Sequence, residues 1–230
     1  MFGRLALGAP ETERRQIGQA LRAWNIDDFV LDRNLGGTSR ASWRVVADGK
    51  PYVLRGTTGQ HAYLDYQIRV LRHLAASSFP YAIPRLIPTA ADGSPFAEGE
   101  SEIRWVLYPY IAGARPGRFA VRRVRRDIAR LVASFDVTVA DIHLGDAKGY
   151  YALTLFDREK VSRKLAAWDG LPHFRSLSRR IVSSILERYL AIPGGEIATV
   201  ASLPKQTIYN DWHRWNLVSE RGRVTGLIDF

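Results

Sequence analysis

The most restrictive pattern in the sequence is its last stretch, Gln206 to Phe230, which reads Q-T-I-Y-N-D-W-H-R-W-N-L-V-S-E-R-G-R-V-T-G-L-I-D-F. It places Asp211 ahead of Asn216, continues with a two-stranded hairpin pattern, and ends an apolar run at Asp229. The hairpin brings two carboxylates and one amide around one short loop. Oxygen ligands of this kind suit Mg²⁺, and a bound metal can activate a hydroxyl. The remainder of the chain is therefore expected to bind a nucleotide and to place it next to this loop.

The composition indicates a globular protein, long enough for one large domain or two lobes. Of its 230 residues, 46% are hydrophobic and 24% are charged, which excludes a disordered chain. The absence of cysteine excludes disulfide and thiolate chemistry and favours a reducing, cytoplasmic location. The sequence has neither a signal-peptide pattern nor an apolar window of about 18 residues, so no membrane association is expected.

The formal net charge of +10 raises the question of a nucleic-acid partner. The densest basic run, Arg122 to Arg130, falls on a predicted helix, where such runs usually form a solvated face. No nucleic-acid motif or aromatic-interleaved basic strand accompanies it. Nucleic acid is therefore the least favoured partner.

The first part of the chain predicts a small α+β lobe. Helical periodicity places one helix at residues 11–25 and another at 59–77. Short β patterns separated by Gly, Asp-Gly and Pro turns predict an antiparallel sheet. Its five strands are predicted at Phe29–Leu35, Ala41–Ala47, Pro51–Gly56, Leu86–Thr89 and Ile103–Tyr110.

Pro and Gly clustered in residues 109–116 predict a linker between two lobes. Residues 1–108 would form the lobe that binds a nucleotide, preceded by its leading helix. Residues 117–230 would form a mainly helical lobe that contains the catalytic loop. Its helices are predicted at Phe119–His143, Asp157–Trp168 and His173–Leu190.

The bend between the first two strands has a composition suited to phosphate. Glycines let backbone N–H groups approach phosphate oxygens, and hydroxyls add further donors. The alternative for this loop is an ordinary hairpin turn. Arg55, at the end of the third strand, is a cation that can point to the same phosphate, and the alternative for it is a charge exposed to solvent. Gln67, on the second helix, is placed to reach Arg55. The loop residues concerned are Gly36, Gly37, Thr38 and Ser39.

With these elements in this order, the chain resembles the aminoglycoside phosphotransferase family, in the protein-kinase-like superfamily that also holds choline kinases and some homoserine kinases. Members typically show H-x-D-x-x-x-x-N and then, after a hairpin, I-D-F or I-D-W. The corresponding residues here are Tyr209 to Asn216 and Gly226 to Phe230, and the resemblance covers about residues 28 to 230. It implies a bilobal protein-kinase-like fold with a five-stranded antiparallel sheet and a mainly helical second lobe.

The resemblance also implies roles for individual residues. Asp211 would accept or orient the proton of a hydroxyl on a small-molecule acceptor, and His213 would brace the loop. Asn216 and Asp229 would bind Mg²⁺, which bridges the phosphates of ATP or GTP. Backbone groups from Tyr108 to Tyr110 would take the edge of the adenine.

Several positions depart from the family pattern. Tyr209 stands where His is usual, Arg55 stands where a phosphate-pairing Lys is expected, and Gln67 replaces the Glu that pairs with that Lys. Family members also usually continue beyond I-D-F, so the resemblance implies that the helical lobe is truncated here. The departures leave three functions open: a small-molecule kinase, a pseudokinase that binds a nucleotide or a partner without turnover, and a nucleic-acid-binding protein.

Overall fold

A computed structural model of the chain describes residues 10–36, 42–59, 61–116, 120–142, 207, 209 and 211–230, with isolated positions between 159 and 191. The chain divides into two compact units, Met1–Ala147 with Thr207–Phe230, and Lys148–Gln206. Every element named below belongs to the first unit. The predicted helices Asp157–Trp168 and His173–Leu190 lie almost entirely outside the described residues, and the predicted division at 109–116 stays a prediction.

The first unit is an α+β structure built on an antiparallel sheet, as predicted. Its sheet has the strand order β1-β2-β3-β5-β4, and a separate two-stranded hairpin is formed by β6 and β7. The helices are α1 (Glu11–Leu21), α2 (His61–Ala76) and α3 (Ala120–Val139). The strands are β1 (Val30–Asn34), β2 (Ser42–Ala47), β3 (Lys50–Thr58), β4 (Ala97–Glu98), β5 (Ile103–Pro109), β6 (Leu217–Glu220) and β7 (Arg223–Leu227).

The prediction of a strand at Leu86–Thr89 is wrong. The fourth strand is β4, which pairs Ala97 with Trp105 of β5. Pro88 interrupts the predicted segment and has no N–H to donate to a ladder. The segment instead makes one hydrogen bond to β5, in which the Ile87 N–H donates to the Leu107 carbonyl at 2.9 Å.

The sheet separates two hydrophobic cores, because successive side chains of a strand point to opposite faces. Leu54 and Leu107 belong to one core, which they share with Ile17 and Leu21 of α1. The next residue of β5, Tyr108, belongs to the other core. That second core also includes α2, α3 and the β6–β7 hairpin, and its large side chains include Leu71, Leu131, Phe135, Leu227 and Phe230.

The β6–β7 hairpin is fixed by backbone hydrogen bonds from two other segments. The Ala82 N–H donates to the Thr225 carbonyl and the Leu227 N–H donates to the Ala82 carbonyl, both at 2.9 Å. Ala114, in the predicted linker, exchanges two backbone hydrogen bonds with Ser219. The hairpin therefore lies between the segment that follows α2 and the segment that follows β5. Among the described residues, no helix is both long enough and apolar enough to cross a bilayer.

Candidate active site

The loop before β6 holds Asp211, His213 and Asn216 in one hydrogen-bonded group. The Asn216 side-chain amide donates to Asp211 Oδ2 at 2.9 Å and to the Asp211 carbonyl at 3.1 Å. His213 Nδ1 accepts the backbone N–H of Trp215 at 3.2 Å, so in the neutral ring Nε2 carries the proton. That nitrogen lies 3.2 Å from Asp211 Oδ1. Both carboxylate oxygens of Asp211 are thus oriented, while its side chain stays 62% exposed to solvent.

Asp229 is bound by Arg55 on the neighbouring sheet. Arg55 Nη2 lies 2.9 Å from Asp229 Oδ1, and Arg55 Nη1 donates to the main-chain oxygen of Phe230 at 3.0 Å. Burial disfavours the charged guanidinium, but Tyr108 and Asp229 outweigh this effect and raise the pKa of Arg55 above its ordinary value. The Asp229 carboxylate remains 57% exposed, so it is open on the side away from Arg55.

The backbone of Asp229 adopts a conformation that non-glycine residues rarely use. Its φ is +65°, in the left-handed region that costs an L-residue about 1–2 kcal/mol. Strain of this kind persists only where the surrounding contacts hold it, and it concentrates at functional sites. The contacts of Tyr209 and Arg55 provide that restraint on Asp229.

Tyr209 connects the loop before β6 to the residues at the end of β7. Its hydroxyl lies 2.9 Å from both the Ile228 and the Asp229 carbonyl oxygens, so its single O–H is shared between these two acceptors. Burial raises the pKa of this hydroxyl, and the negative charge of Asp229 adds to the shift, so the group stays protonated and remains a donor. The ring packs at 5.3 Å from Phe230 and 4.8 Å from Trp212, measured between centroids.

The pairing of β6 with β7 brings these two groups of residues together. Leu217 lies opposite Leu227, and one step further the Ile228 N–H donates to the Asn216 carbonyl at 2.8 Å. The Asn216 side chain points to Asp211, while the residue after Ile228 is Asp229. The two carboxylates and the amide that the sequence predicts as a site therefore lie around the open end of one hairpin.

The predicted phosphate loop is described only at its first residue. Gly36 has a φ of +83°, and its N–H donates to Asn34 Oδ1 at 2.7 Å, which closes a tight turn after β1. Gly37, Thr38 and Ser39 lie outside the described residues. Their role in binding phosphate stays a prediction.

The segment predicted to contact adenine is already partly engaged in the sheet. Tyr108 lies opposite Val53 of β3, and the Tyr110 N–H donates to the Pro51 carbonyl at 3.0 Å. Pro109 has no N–H, so backbone donors from this stretch are not free for an adenine edge. The Tyr110 side chain is also occupied: Arg33 donates to its hydroxyl at 3.1 Å, and the Arg44 guanidinium lies 4.6 Å from its ring centroid.

The suggested contact between Gln67 and Arg55 is not formed. Within the described part of the chain, the Arg55 side chain contacts Asp229, Phe230 and Tyr108. Asp229 is a stronger partner than an amide because the hydrogen bond joins two opposite charges. Gln67 is 6% exposed, and its Nε2 has no hydrogen-bond partner among the described residues.

The structure adds two residues that the sequence did not single out as site residues. Trp215, inside the loop before β6, is 49% exposed. The Arg115 guanidinium, from the predicted linker, lies 5.0 Å from the centroid of the Trp215 ring. In the sequence, the only indication of this contact is a Trp between Arg214 and Asn216, and no periodic pattern connects that Trp to Arg115.

Solved structures with the same fold are kinases of small molecules. An aminoglycoside phosphotransferase from Alicyclobacillus acidocaldarius subsp. acidocaldarius DSM 446 aligns with 98% of this chain and 66% of its own, at 15% identity and a TM-score of 0.60. The microcompartment-associated aminopropanol kinase aligns with 95% and 69%, at 16% identity and a TM-score of 0.62. The amicoumacin kinase hAmiN, in complex with AMP-PNP, Ca²⁺ and Ami, aligns with 96% and 63%, at 11% identity and 0.63. The fold is thus kinase-like.

The sequence also identifies the family. The profile of the phosphotransferase enzyme family matches residues 31–230, and the chain belongs to that family. It spans about two thirds of the length of the solved structures above. A search of curated proteins finds no match.

Proposed function

We propose that the protein is a phosphotransferase that moves the γ-phosphoryl group of ATP or GTP to a hydroxyl of a small molecule. The observation that carries this proposal is the convergence of Asp211, Asn216 and Asp229 at the open end of the β6–β7 hairpin, with Arg55 bound to Asp229. Phosphoryl transfer needs little covalent help from a protein, so positioned charges and hydrogen bonds suffice. Membership of the phosphotransferase enzyme family supports the same reaction class.

The residues present fit Mg²⁺. This ion prefers oxygen ligands and is usually held by one or two carboxylates together with substrate phosphates. Asp229 has an exposed carboxylate, and Asn216 lies beside it across the hairpin. Among the described residues no group of three His, Cys, Asp or Glu side chains forms an all-protein metal cage. Bound there, the ion would supply charge neutralisation for the phosphates.

Asp211 is the residue proposed to receive the acceptor hydroxyl. Its carboxylate is exposed, and Asn216 and His213 each orient one of its oxygens. A carboxylate oriented in this way can align the hydroxyl and accept its proton as the new bond forms. His213 acts through Asp211, because its Nδ1 is occupied by the Trp215 N–H.

The nucleotide is proposed to lie near Arg55, on the face of the sheet that also carries Tyr108. The kinase hAmiN, whose fold is similar, was solved with AMP-PNP. Arg55 would pair with phosphate as a planar, permanently charged fork in place of a compact ammonium. Tyr108 and Gln67 are proposed to line the same region, and Tyr110, with Gly36 to Ser39, is proposed to border it. Because the Tyr110 N–H is engaged by Pro51, an adenine edge would need a donor from outside Tyr108–Tyr110.

The variant Asp211→Asn tests the assignment. It keeps the size of the side chain but removes the charge that would accept a proton. We expect phosphoryl transfer, measured as acceptor-dependent release of ADP, to be lost while the affinity for Mg²⁺–AMP-PNP stays within a few-fold of the parent. Transfer retained at the parental rate in Asp211→Asn would refute the role of Asp211.

One observation favours a second function, a protein that binds a nucleotide without turnover. Arg55 occupies the carboxylate that would hold the metal, with Nη2 at 2.9 Å from Asp229 Oδ1. A guanidinium at this position supplies positive charge to phosphates without a metal. AMP-PNP binding that is equally tight in EDTA and in Mg²⁺, with no transfer to any acceptor, would establish this second function over the first.

A further inference from the structure

Trp215 and two arginines form a cationic surface next to the catalytic loop, which we call the Arg–Trp surface and define as Arg115, Arg214 and Trp215. The Arg214 guanidinium lies 4.2 Å from the Trp215 ring centroid and that of Arg115 lies 5.0 Å from it. Both distances are within the range of cation–π interactions. The indole is nevertheless 49% exposed, so the surface faces solvent.

The backbone holds this surface close to Asp211. The Trp215 N–H donates to His213 Nδ1, and His213 Nε2 lies 3.2 Å from Asp211 Oδ1. Two hydrogen-bonded steps thus separate Trp215 from the proposed site of the acceptor hydroxyl. On the other side, the residue before Arg115 is fixed by Ser219, whose hydroxyl and N–H both donate to the Ala114 carbonyl at 2.8 Å.

The two arginines of the surface lack carboxylate partners in the described part of the chain. There, Arg55 pairs with Asp229, Arg223 with Asp127 and Arg44 with Asp32. No ion pair of that kind is formed by Arg115 or Arg214. A cation–π contact uses none of the N–H groups of a guanidinium as hydrogen-bond donors to a carboxylate, so these donors stay available for an anion.

We propose that the Arg–Trp surface binds an anionic group, carboxylate or phosphate, on the acceptor molecule, and so selects acidic hydroxyl compounds. This inference rests on the proposed function. Two positive charges close to Asp211 attract such an acceptor and repel a polycation. Trp215 adds an apolar face against which the carbon skeleton of the acceptor packs.

The test compares probes that share a six-carbon polyhydroxyl chain and differ in charge: gluconate, glucose 6-phosphate, glucose and glucosamine. Binding is followed by tryptophan fluorescence of the full chain with Mg²⁺, with and without saturating AMP-PNP. The Trp215→Phe variant identifies the part of the signal that comes from Trp215. We expect gluconate or glucose 6-phosphate to bind in both conditions, more tightly than glucose, and glucosamine to bind most weakly. The two anions show whether carboxylate or phosphate is preferred.

The double variant Arg115→Gln/Arg214→Gln removes the charge but keeps polar side chains. We expect it to weaken anion binding by about threefold to tenfold, as for exposed charge pairs. Arg125→Gln/Arg126→Gln is the matched control, because it removes the same net charge from exposed positions of α3 and should leave anion binding unchanged.

Four results would overturn the inference: glucosamine binding at least as tightly as gluconate, no binding of any probe, unchanged anion binding in Arg115→Gln/Arg214→Gln, or loss of anion binding once AMP-PNP is present. The last result would assign the surface to the nucleotide. A thermal-shift measurement of AMP-PNP binding on the same samples tests the proposed function separately. A chain that binds no nucleotide but still prefers anions would refute the kinase proposal and leave the anion site intact.

Discussion

Replacing Tyr209 by Phe removes one oxygen atom that joins the proposed catalytic loop to the proposed metal ligand. That hydroxyl lies 2.9 Å from the carbonyl oxygens of both Ile228 and Asp229. The ring itself is packed against Phe230 and Trp212, and Phe preserves that packing. The variant therefore isolates the hydrogen bonds from the hydrophobic contribution.

The expected magnitude follows from those contacts. A buried hydrogen bond contributes about 0.5–1.5 kcal/mol net, and leaving its acceptor unsatisfied adds about 1–3 kcal/mol. We take about 2 kcal/mol as the loss in unfolding free energy, which for a chain of this size lowers Tm by about 4–8 °C. Loss of this restraint on Asp229 should also weaken Mg²⁺ binding about tenfold, as for other groups that orient a metal ligand.

The assay is a pair of measurements on the same preparations. Differential scanning calorimetry gives Tm, and calorimetric titration of AMP-PNP at a series of Mg²⁺ concentrations gives the Mg²⁺ dependence of nucleotide affinity. Tyr52→Phe is the matched control, because Tyr52 is also a partly buried tyrosine and its hydroxyl makes no hydrogen bond among the described residues. We expect Tyr52→Phe to leave both measurements unchanged.

The two measurements separate a positioning role from a purely structural one. A lower Tm with an unchanged Mg²⁺ dependence would mean that the Tyr209 hydrogen bonds stabilise the fold without positioning Asp229. An unchanged Tm together with an unchanged Mg²⁺ dependence would refute the reasoning from these hydrogen bonds altogether.

Two further variants test contacts around the site. Arg55→Ala should weaken AMP-PNP binding about tenfold, because it removes a cation that is only 11% exposed. If calorimetric titration gives the variant the same affinity for AMP-PNP as the parent, Arg55 has only a structural role. Asp127→Asn tests the ion pair between α3 and β7, in which the Arg223 hydrogen bond lowers the pKa of Asp127. A lowered pKa gives stability that is present above the unfolded-state pKa of about 4 and is lost as pH falls through the folded-state value. The Tm difference between parent and Asp127→Asn should therefore be largest near pH 6 and shrink toward pH 3, and a difference that is constant with pH would contradict the assignment.

Much of the first unit could be predicted from short-range signals. The Asp48-Gly49 turn fixes β2 and β3 because both residues have positive φ, at 49° and 71°. The hairpin after Asn216 likewise contains its own turn, Arg221 and Gly222, with φ of 49° and 77°. Signals of this kind lie within a few residues of the element they determine, so they can be read in the sequence.

Contacts between distant segments could not be predicted in the same way. The fourth strand was placed at Leu86–Thr89 by local pattern, whereas β4 is only two residues long and depends on pairing with β5. Arg115 reaches Trp215 because Ala114 pairs with Ser219, and nothing near Arg115 in the sequence indicates that pairing. The chemical type of the site was readable from Asp211, Asn216 and Asp229, but the side chains that surround them were not.

Two departures from the family pattern have a common structural explanation in Asp229. Arg55, on β3, binds the Asp229 carboxylate, and Tyr209, in the loop before β6, donates to the Asp229 carbonyl. The side chain and the backbone of Asp229 are therefore held by two different parts of the structure. Since a left-handed Asp needs such restraint, losing either contact would favour the relaxed conformation. Arg55 needs no carboxylate on α2 when Asp229 neutralises it, and this accounts for a neutral Gln67 at that position. The substitutions are therefore expected to act together on Asp229, and they do not by themselves indicate a site that has lost its function.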